Sequence, residues 1–194
     1  MKYLNPGEES TQPIESVVES VKQGDKQAFA DIIRTFERQI YTYCYYILKN
    51  REEAEDALQE IFIKVYQSIH KYEHQVSFSS WLYKVAYYHC MDMARKKSRQ
   101  KKTLSLQKEI RQLENQHQKD SVPEVEELLM SLKPEERHLV LLRAVEQYSF
   151  EEIGQIMDCK PATLRKKFER VRKKLILQKK IKGGVTHERM VRSN

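Results

Sequence analysis

Between Thr163 and Lys174 one hydroxyl and seven cations fall within twelve residues: Thr163, Arg165, Lys166, Lys167, Arg170, Arg172, Lys173 and Lys174, against a single acid, Glu169. Leu164, Phe168, Val171 and Leu175 recur at helical spacing and mark an inward face. An outward cationic helix suits the major groove of a DNA duplex. There Arg and Lys reach guanine O6 and N7, and further cations meet phosphates. The N-terminal end, with Thr163, Arg165 and Lys166, reads as base-contacting. The cations further along the helix read as phosphate contacts. The segment before it has the form of a first helix and a tight turn. Ser149-Phe150-Glu151-Glu152 is a capping box, Ile153, Ile156 and Met157 share a face, and Gly154 implies close approach of a second helix. Asp158 tolerates a left-handed turn, Cys159 reads as an inward small hydrophobe, and Pro161 starts a helix without losing a needed donor. Together these describe a helix-turn-helix. The competing reading is a solvated basic helix at the end of a bundle.

A second candidate lies at Phe78 to Arg99. Phe78, Trp81, Tyr83, Tyr87 and Tyr88 are interleaved with Lys84, Arg95, Lys96, Lys97 and Arg99, and Trp81 is the sole tryptophan. Rings for base stacking and cations for phosphates are what a single strand of nucleic acid requires. The competing reading places the rings in a core. Against it, Leu82, Val85, Ala86 and His89 already supply an inward stripe.

Both candidates need helices beneath them. The chain has 194 residues, five glycines and strong 3.6-residue periodicity, which predicts an all-α protein. Ile14, Val17, Val18 and Val21 form a first helix ending at Gly24. Asp25 caps a second, with Phe29, Ile32, Phe36, Ile40 and Cys44 on one face. Asn50 and Arg51 break the pattern before a third stripe from Ala54 to Ile69. His70 to Ser77 reads as a loop before the aromatic helix. Arg95 to Pro123 lacks aromatics and is rich in Lys, Arg, Gln and Ser, so it reads as a linker with room for some helix. Val125 to Leu132 and Pro134 to Val145 form further helices. We therefore expect two small helical domains, 14–99 and 124–180, joined by a flexible linker at 100–123, with a disordered tail at 181–194.

The net charge of +7 points to an anionic partner, nucleic acid or a membrane surface. No apolar run approaches the ~20 residues of a membrane helix, and the acidic N-terminus is not a signal peptide. Three scattered cysteines, Cys44, Cys90 and Cys159, form no disulfide framework and fit a reducing cytoplasm. No phosphate-binding glycine loop is present. His70, Glu73 and His74 lack a further ligand and helical spacing, so no metal site is expected. No catalytic constellation emerges, and no cofactor or small-molecule substrate is implied.

Three blocks carry a resemblance: Glu52 to Ile69, Ser77 to Lys97, and Ser149 to Leu175. In order and content they resemble the extracytoplasmic-function (ECF) sigma factors of the sigma-70 family, which keep only the domains called region two and region four. The resemblance implies a non-enzymatic subunit that directs RNA polymerase to promoters. Region four would bind the −35 element as duplex through Thr163, Arg165, Lys166, Lys167, Arg170 and Arg172. Region two would bind the −10 element as an opened non-template strand through Phe78, Trp81, Tyr83, Lys84, Tyr87, Tyr88, Asp92, Arg95 and Lys96, with His70 to Ser77 pocketing a flipped base. Asp56, Gln59, Glu60 and Phe62 would dock on the beta-prime clamp helices of core polymerase, and the beta flap is a further implied partner. An anti-sigma factor, often membrane-anchored, is also implied. The chain departs from the family pattern at Tyr87 and Tyr88, where Arg and Asn are common, and at Asp158, where Gly is usual. Two other classes stand beside this one: a helix-turn-helix regulator acting on duplex DNA alone, and a nucleic-acid enzyme. The first leaves the acidic 52–60 face and the aromatic helix without a role.

Overall fold

The computed structural model describes residues 13–107 and 124–191, which are helical with short connections and no strand. The chain divides near Met93 into two compact units.

In the amino-terminal unit, α1 (Ile14–Lys22) ends in a paired cap. Asp25 N–H donates to Ser20 O and Gly24 N–H to Val21 O, each 3.0 Å, with Gly24 at φ +101°. Asp25 then turns its carboxylate to the next helix, accepting from Gln27 N at 2.8 Å and Ala28 N at 3.2 Å. Helix α2 (Ala28–Leu48) ends on Lys49 in the left-handed region. Asn50 restarts the chain as the N-cap of α3 (Arg51–Ser68), its Oδ1 accepting from Glu53 N at 2.9 Å. That cap is worth about 1 kcal/mol. A 3-10 turn (Ile69–Lys71) and a short loop lead to α4 (Phe78–Gln107), whose first turn is capped by Ser77 Oγ accepting from Ser80 N at 3.2 Å.

Helix α4 packs on α2 between Phe78 and Cys90. Phe36 meets Phe78 (centroids 5.9 Å), Tyr43 meets Tyr83 edge to face (5.2 Å), and the Cys90 thiol lies 3.7 Å from Cys44. All three cysteines are free thiols. The helix continues to Gln107, so the first eight positions assigned to the linker are helical, and 108–123 lie outside the described residues.

The carboxyl-terminal unit comprises α5 (Glu124–Met130), α6 (Pro134–Val140), a π-helical turn (Leu141–Val145), α7 (Phe150–Met157) and α8 (Pro161–Val191). Arg137 is buried, and its guanidinium donates to the carbonyls of Leu129 and Leu132 at 2.9 and 2.8 Å. It thereby satisfies the end of α5. The π turn, with Glu146 N–H reaching Leu141 O, replaces the continuous helix expected to Val145. Gln147 follows at φ +61°. The backbone of α8 is helical through Gly183-Gly184 to Val191, past Lys182, where the sequence places a disordered tail.

Candidate nucleic-acid interface

The helix-turn-helix forms as its residue types dictate. Ser149 Oγ accepts from Glu152 N (3.2 Å) while Glu152 Oε2 accepts from Ser149 N (2.8 Å), closing the capping box at the start of α7. Asp158 takes the left-handed conformation at φ 48°, and Cys159 N–H returns to Gly154 O at 3.0 Å. A Cβ at Gly154 would lie 2.8 Å from Cys159 O and 3.4 Å from Pro161 Cγ. No side chain fits there, which justifies the cost of about 1 kcal/mol for a helical glycine. Cys159 is half-buried rather than wholly inward.

On α8, Leu164 and Val171 are buried, and Phe168 is half-buried with its ring edge-to-face on Phe150 (5.8 Å). The cations divide by helical phase into three groups. Lys166, Arg170 and Lys173 lie farthest from the core, with Thr163 beside them, and all are exposed. Arg165 and Arg172 occupy one flank. Arg165 Nη2 donates to Glu151 Oε1, and Arg172 pairs with Glu169 at 3.5 Å. On the opposite flank Lys167 pairs with Glu135 (2.8 Å) and Lys174 with Glu136 (3.8 Å), both acids from the first turn of α6. Lys167 holds the Glu135 carboxyl below its ordinary range. Lys167 is thus turned toward α6, whereas the other −35 residues expected from sequence are on open surface.

The aromatic helix is more divided. Phe78, Tyr83 and Tyr87 are buried, with relative exposures of 0, 1 and 8%. They pack as core and are not placed to stack on bases, which corrects the sequence expectation. The inward arc of α4 is broader than one stripe because Tyr83, Tyr87 and Cys90 join Leu82 and Ala86 in it, while Val85 and His89 are only half-buried. Lys64 Nζ reaches His89 Nδ1 at 2.6 Å from α3. Trp81, Lys84, Tyr88, Asp92 and Arg95 follow one another at intervals of three or four and form a single outer stripe. Lys96 is exposed beside it. Trp81 rests against Tyr72 (5.5 Å) and Phe78 (5.7 Å), and Tyr88 is 39% exposed.

The loop before α4 is built around Tyr72. Its ring is buried, its hydroxyl donates to Val76 O at 2.8 Å, and Lys22 Nζ sits 5.2 Å from its centroid. His74 Nε2 lies 2.8 Å from Glu19 Oε1, tying the loop to α1. Lys22 and His74 together hold the Glu19 carboxyl below its ordinary range. Among the described residues no group of three or more His, Cys, Asp or Glu could hold a metal.

On α3, Asp56, Gln59 and Glu60 are exposed on one stripe. Phe62 is not on it. It is 6% exposed, its ring edge-to-face with Phe29 at 6.4 Å, because its helical position turns it toward α2. Ile63 takes its place on the stripe at 49% exposure, with Tyr66 beside it at 40%. The sequence reading missed both. The available signal was an isoleucine that falls outside the apolar periodicity of its own helix.

One unit carries a helix-turn-helix with a cationic second helix, and the other carries an aromatic and cationic stripe on α4 beside an acidic and apolar face on α3, features of the class of nucleic-acid-binding proteins. The family models for Sigma-70 region 2 and Sigma-70 region 4 match residues 32–100 and 123–175. The chain is 32% identical over 179 residues to the ECF RNA polymerase sigma factor SigW of Bacillus subtilis, spanning 84% of this chain and 94% of that protein. It is 30% identical over 175 residues to the ECF RNA polymerase sigma-E factor of Haemophilus influenzae, spanning 81% and 90%. The fold is similar to that of the sigma factor RpoE from Bartonella quintana, solved with the anti-sigma factor NepR, at a TM-score of 0.62 and 17% identity over 76% of this chain and 93% of that one. The chain belongs to the ECF sigma factors of RNA polymerase.

Proposed function

We propose that this chain gives core RNA polymerase its promoter specificity by reading two elements in two physical states. Helix α8 enters the major groove of a duplex −35 element, with Thr163, Arg165 and Lys166 toward the bases and Arg170, Arg172 and Lys173 toward phosphates. The outer stripe of α4 receives the opened non-template strand of the −10 element. Trp81 and Tyr88 supply the stacking surface, and Lys84, Arg95 and Lys96 supply the cations. Unstacking a base costs a few kcal/mol, and stacking on an aromatic returns about 1–3 kcal/mol per base. Capture by a preformed stripe therefore offsets most of the cost of melting.

The exposed Asp56, Gln59, Glu60 and Ile63 face on α3 docks on the beta-prime clamp helices. The carboxyl-terminal unit engages the beta flap, and an anti-sigma factor holds the protein inactive. In this reading the domains run 14–99 and 124–180. The chain acts in the cytoplasm and contributes specificity rather than catalysis. Among the described residues no helix is long and apolar enough to cross a membrane.

The observation that carries the reading is the split of α4 into a buried aromatic face and an outer stripe, half-buried at Trp81 and Lys84 and exposed from Tyr88 on, beside an acidic α3 face that a stand-alone duplex binder would not use. Run-off transcription tests it. Core polymerase with this chain should start at a discrete promoter on genomic templates. Absence of a specific start on every template would refute it.

A further inference from the structure

Helix α7 does more than brace the recognition helix. The Phe150 ring is a platform with Arg165 on it at 5.6 Å, Arg143 at 5.0 Å, and Phe168 meeting its edge at 5.8 Å. Arg143 is itself fixed, its Nη1 donating to Tyr148 O at 2.9 Å. Glu151, the next residue on α7, accepts from Arg165 Nη2. Both partners lie on open surface, with side chains 52 and 62% exposed. In water such a pair adds little to stability. Its consequence arises when a duplex covers it, because exclusion of water strengthens the same contact.

From this geometry, and resting on the −35 reading above, we infer that Glu151 is a specificity-determining residue that acts by positioning Arg165. A guanidinium carries five N–H donors in a rigid fork. Glu151 engages one Nη2 hydrogen, and the Phe150 ring lies 5.6 Å from the guanidinium carbon. The Nε, Nη1 and second Nη2 hydrogens remain for an acceptor pair such as guanine O6 and N7. An arginine on a free side chain would swing to any phosphate. One pinned by a carboxylate gains by meeting a base edge, and the carboxylate itself repels misplaced phosphates. Glu151 thus favours the correct site and disfavours the wrong ones at once. Lys166 and Arg170, which make no ion pair among the described residues, supply binding with less discrimination.

The test uses full-length chain with core polymerase and a duplex library randomised across the −35 region, sequenced after selection. Glu151→Gln keeps shape and removes the charge. It should flatten base preference at one −35 position about tenfold while strengthening binding to random-sequence duplex. Arg165→Ala should flatten the same position, and the double variant should be no flatter than Arg165→Ala alone. Glu151→Asp should restore part of the preference. A Glu151→Gln profile identical to the parent's, or an effect that adds to that of Arg165→Ala, would overturn the inference while leaving the −35 reading intact. If the parent holoenzyme selects no −35 sequence, or Arg165→Ala leaves every position unchanged, the −35 reading falls and the inference falls with it.

Discussion

Between Thr163 and Lys174, helix α8 carries seven cations and holds four of them against acids: Arg165 on Glu151, Lys167 on Glu135, Arg172 on Glu169 and Lys174 on Glu136. Helix α4 divides five aromatic residues, burying Phe78, Tyr83 and Tyr87 and leaving Trp81 and Tyr88 accessible. The two helices teach different lessons about how recognition is built. A cation has a strong default toward water, since burying it unpaired costs several kcal/mol. Its place in the sequence therefore maps directly onto the surface, and tuning comes from neighbouring acids. A ring gains by burial as readily as by stacking on a ligand, so neighbouring elements decide its role. The α8 contribution should accordingly rest on salt-sensitive electrostatics, whereas the part of α4 binding supplied by Trp81 and Tyr88 should be insensitive to salt.

The largest expected effect uncouples both helices from the polymerase. Asp56→Arg should abolish co-purification with core polymerase while leaving the circular dichroism spectrum unchanged. Retained association would remove the α3 face from the account. Ile63→Ser should weaken the same association, with a far smaller loss of stability than Phe62→Ala.

Within α4, thermal denaturation should separate two neighbouring aromatics. Phe78→Ala should cost about 3–5 kcal/mol of stability. Trp81→Ala should cost less than half of that, yet reduce open-complex formation by about 1–3 kcal/mol. Equal stability losses would erase the division between buried and exposed rings.

Salt titration sharpens the contrast between the helices. Arg170→Ala and Lys173→Ala should each lower the slope of log affinity against log salt by about 1. Lys167→Ala, tethered to Glu135, should lower it less, and Trp81→Ala should leave it unchanged. An identical loss for all three cations would contradict the phase-based division of α8.

The two units should also differ in their response to pH. His138 lies fully buried in α6, and burial, with the Arg137 charge beside it, pushes its pKa down to about 3 from an ordinary 6.5. The unfolded chain binds this proton below about 6.5 and the folded chain does not, so stability is full above that pH and declines as pH falls toward about 3. Hydrogen exchange by mass spectrometry should show α6 protection declining over that window. His138→Gln should flatten the decline. An unchanged profile in that variant would assign the pH response elsewhere.

Much of this architecture is legible in the residues, and the exceptions have physical causes. Gly24, Asp25, Asn50 and Ser149 mark caps whose chemistry is local, and Gly154 announces a close approach that Cys159 O and Pro161 supply. The π turn at Leu141–Val145 has no comparable local signature: Leu, Arg, Ala and Val suit an ordinary helix. Phe62 and Phe78 fall in apolar stripes by periodicity, and against the binding roles that the resemblance implies for them Phe29 and Phe36, partners distant in sequence, hold both rings in the core. Lys167 looks like its neighbours in the chain, and only the fold brings Glu135 to it.

The division of labour between the two units is tested most directly by initiation on paired templates, one fully duplex and one with a preformed bubble across the −10 element. Pre-opening removes the melting cost that the α4 stripe is held to offset. Trp81→Ala should be rescued strongly by the bubble, whereas the Lys166→Ala, Arg170→Ala double variant should gain no more than the parent does. Equal rescue of both variants, or rescue of the α8 variant alone, would contradict the account.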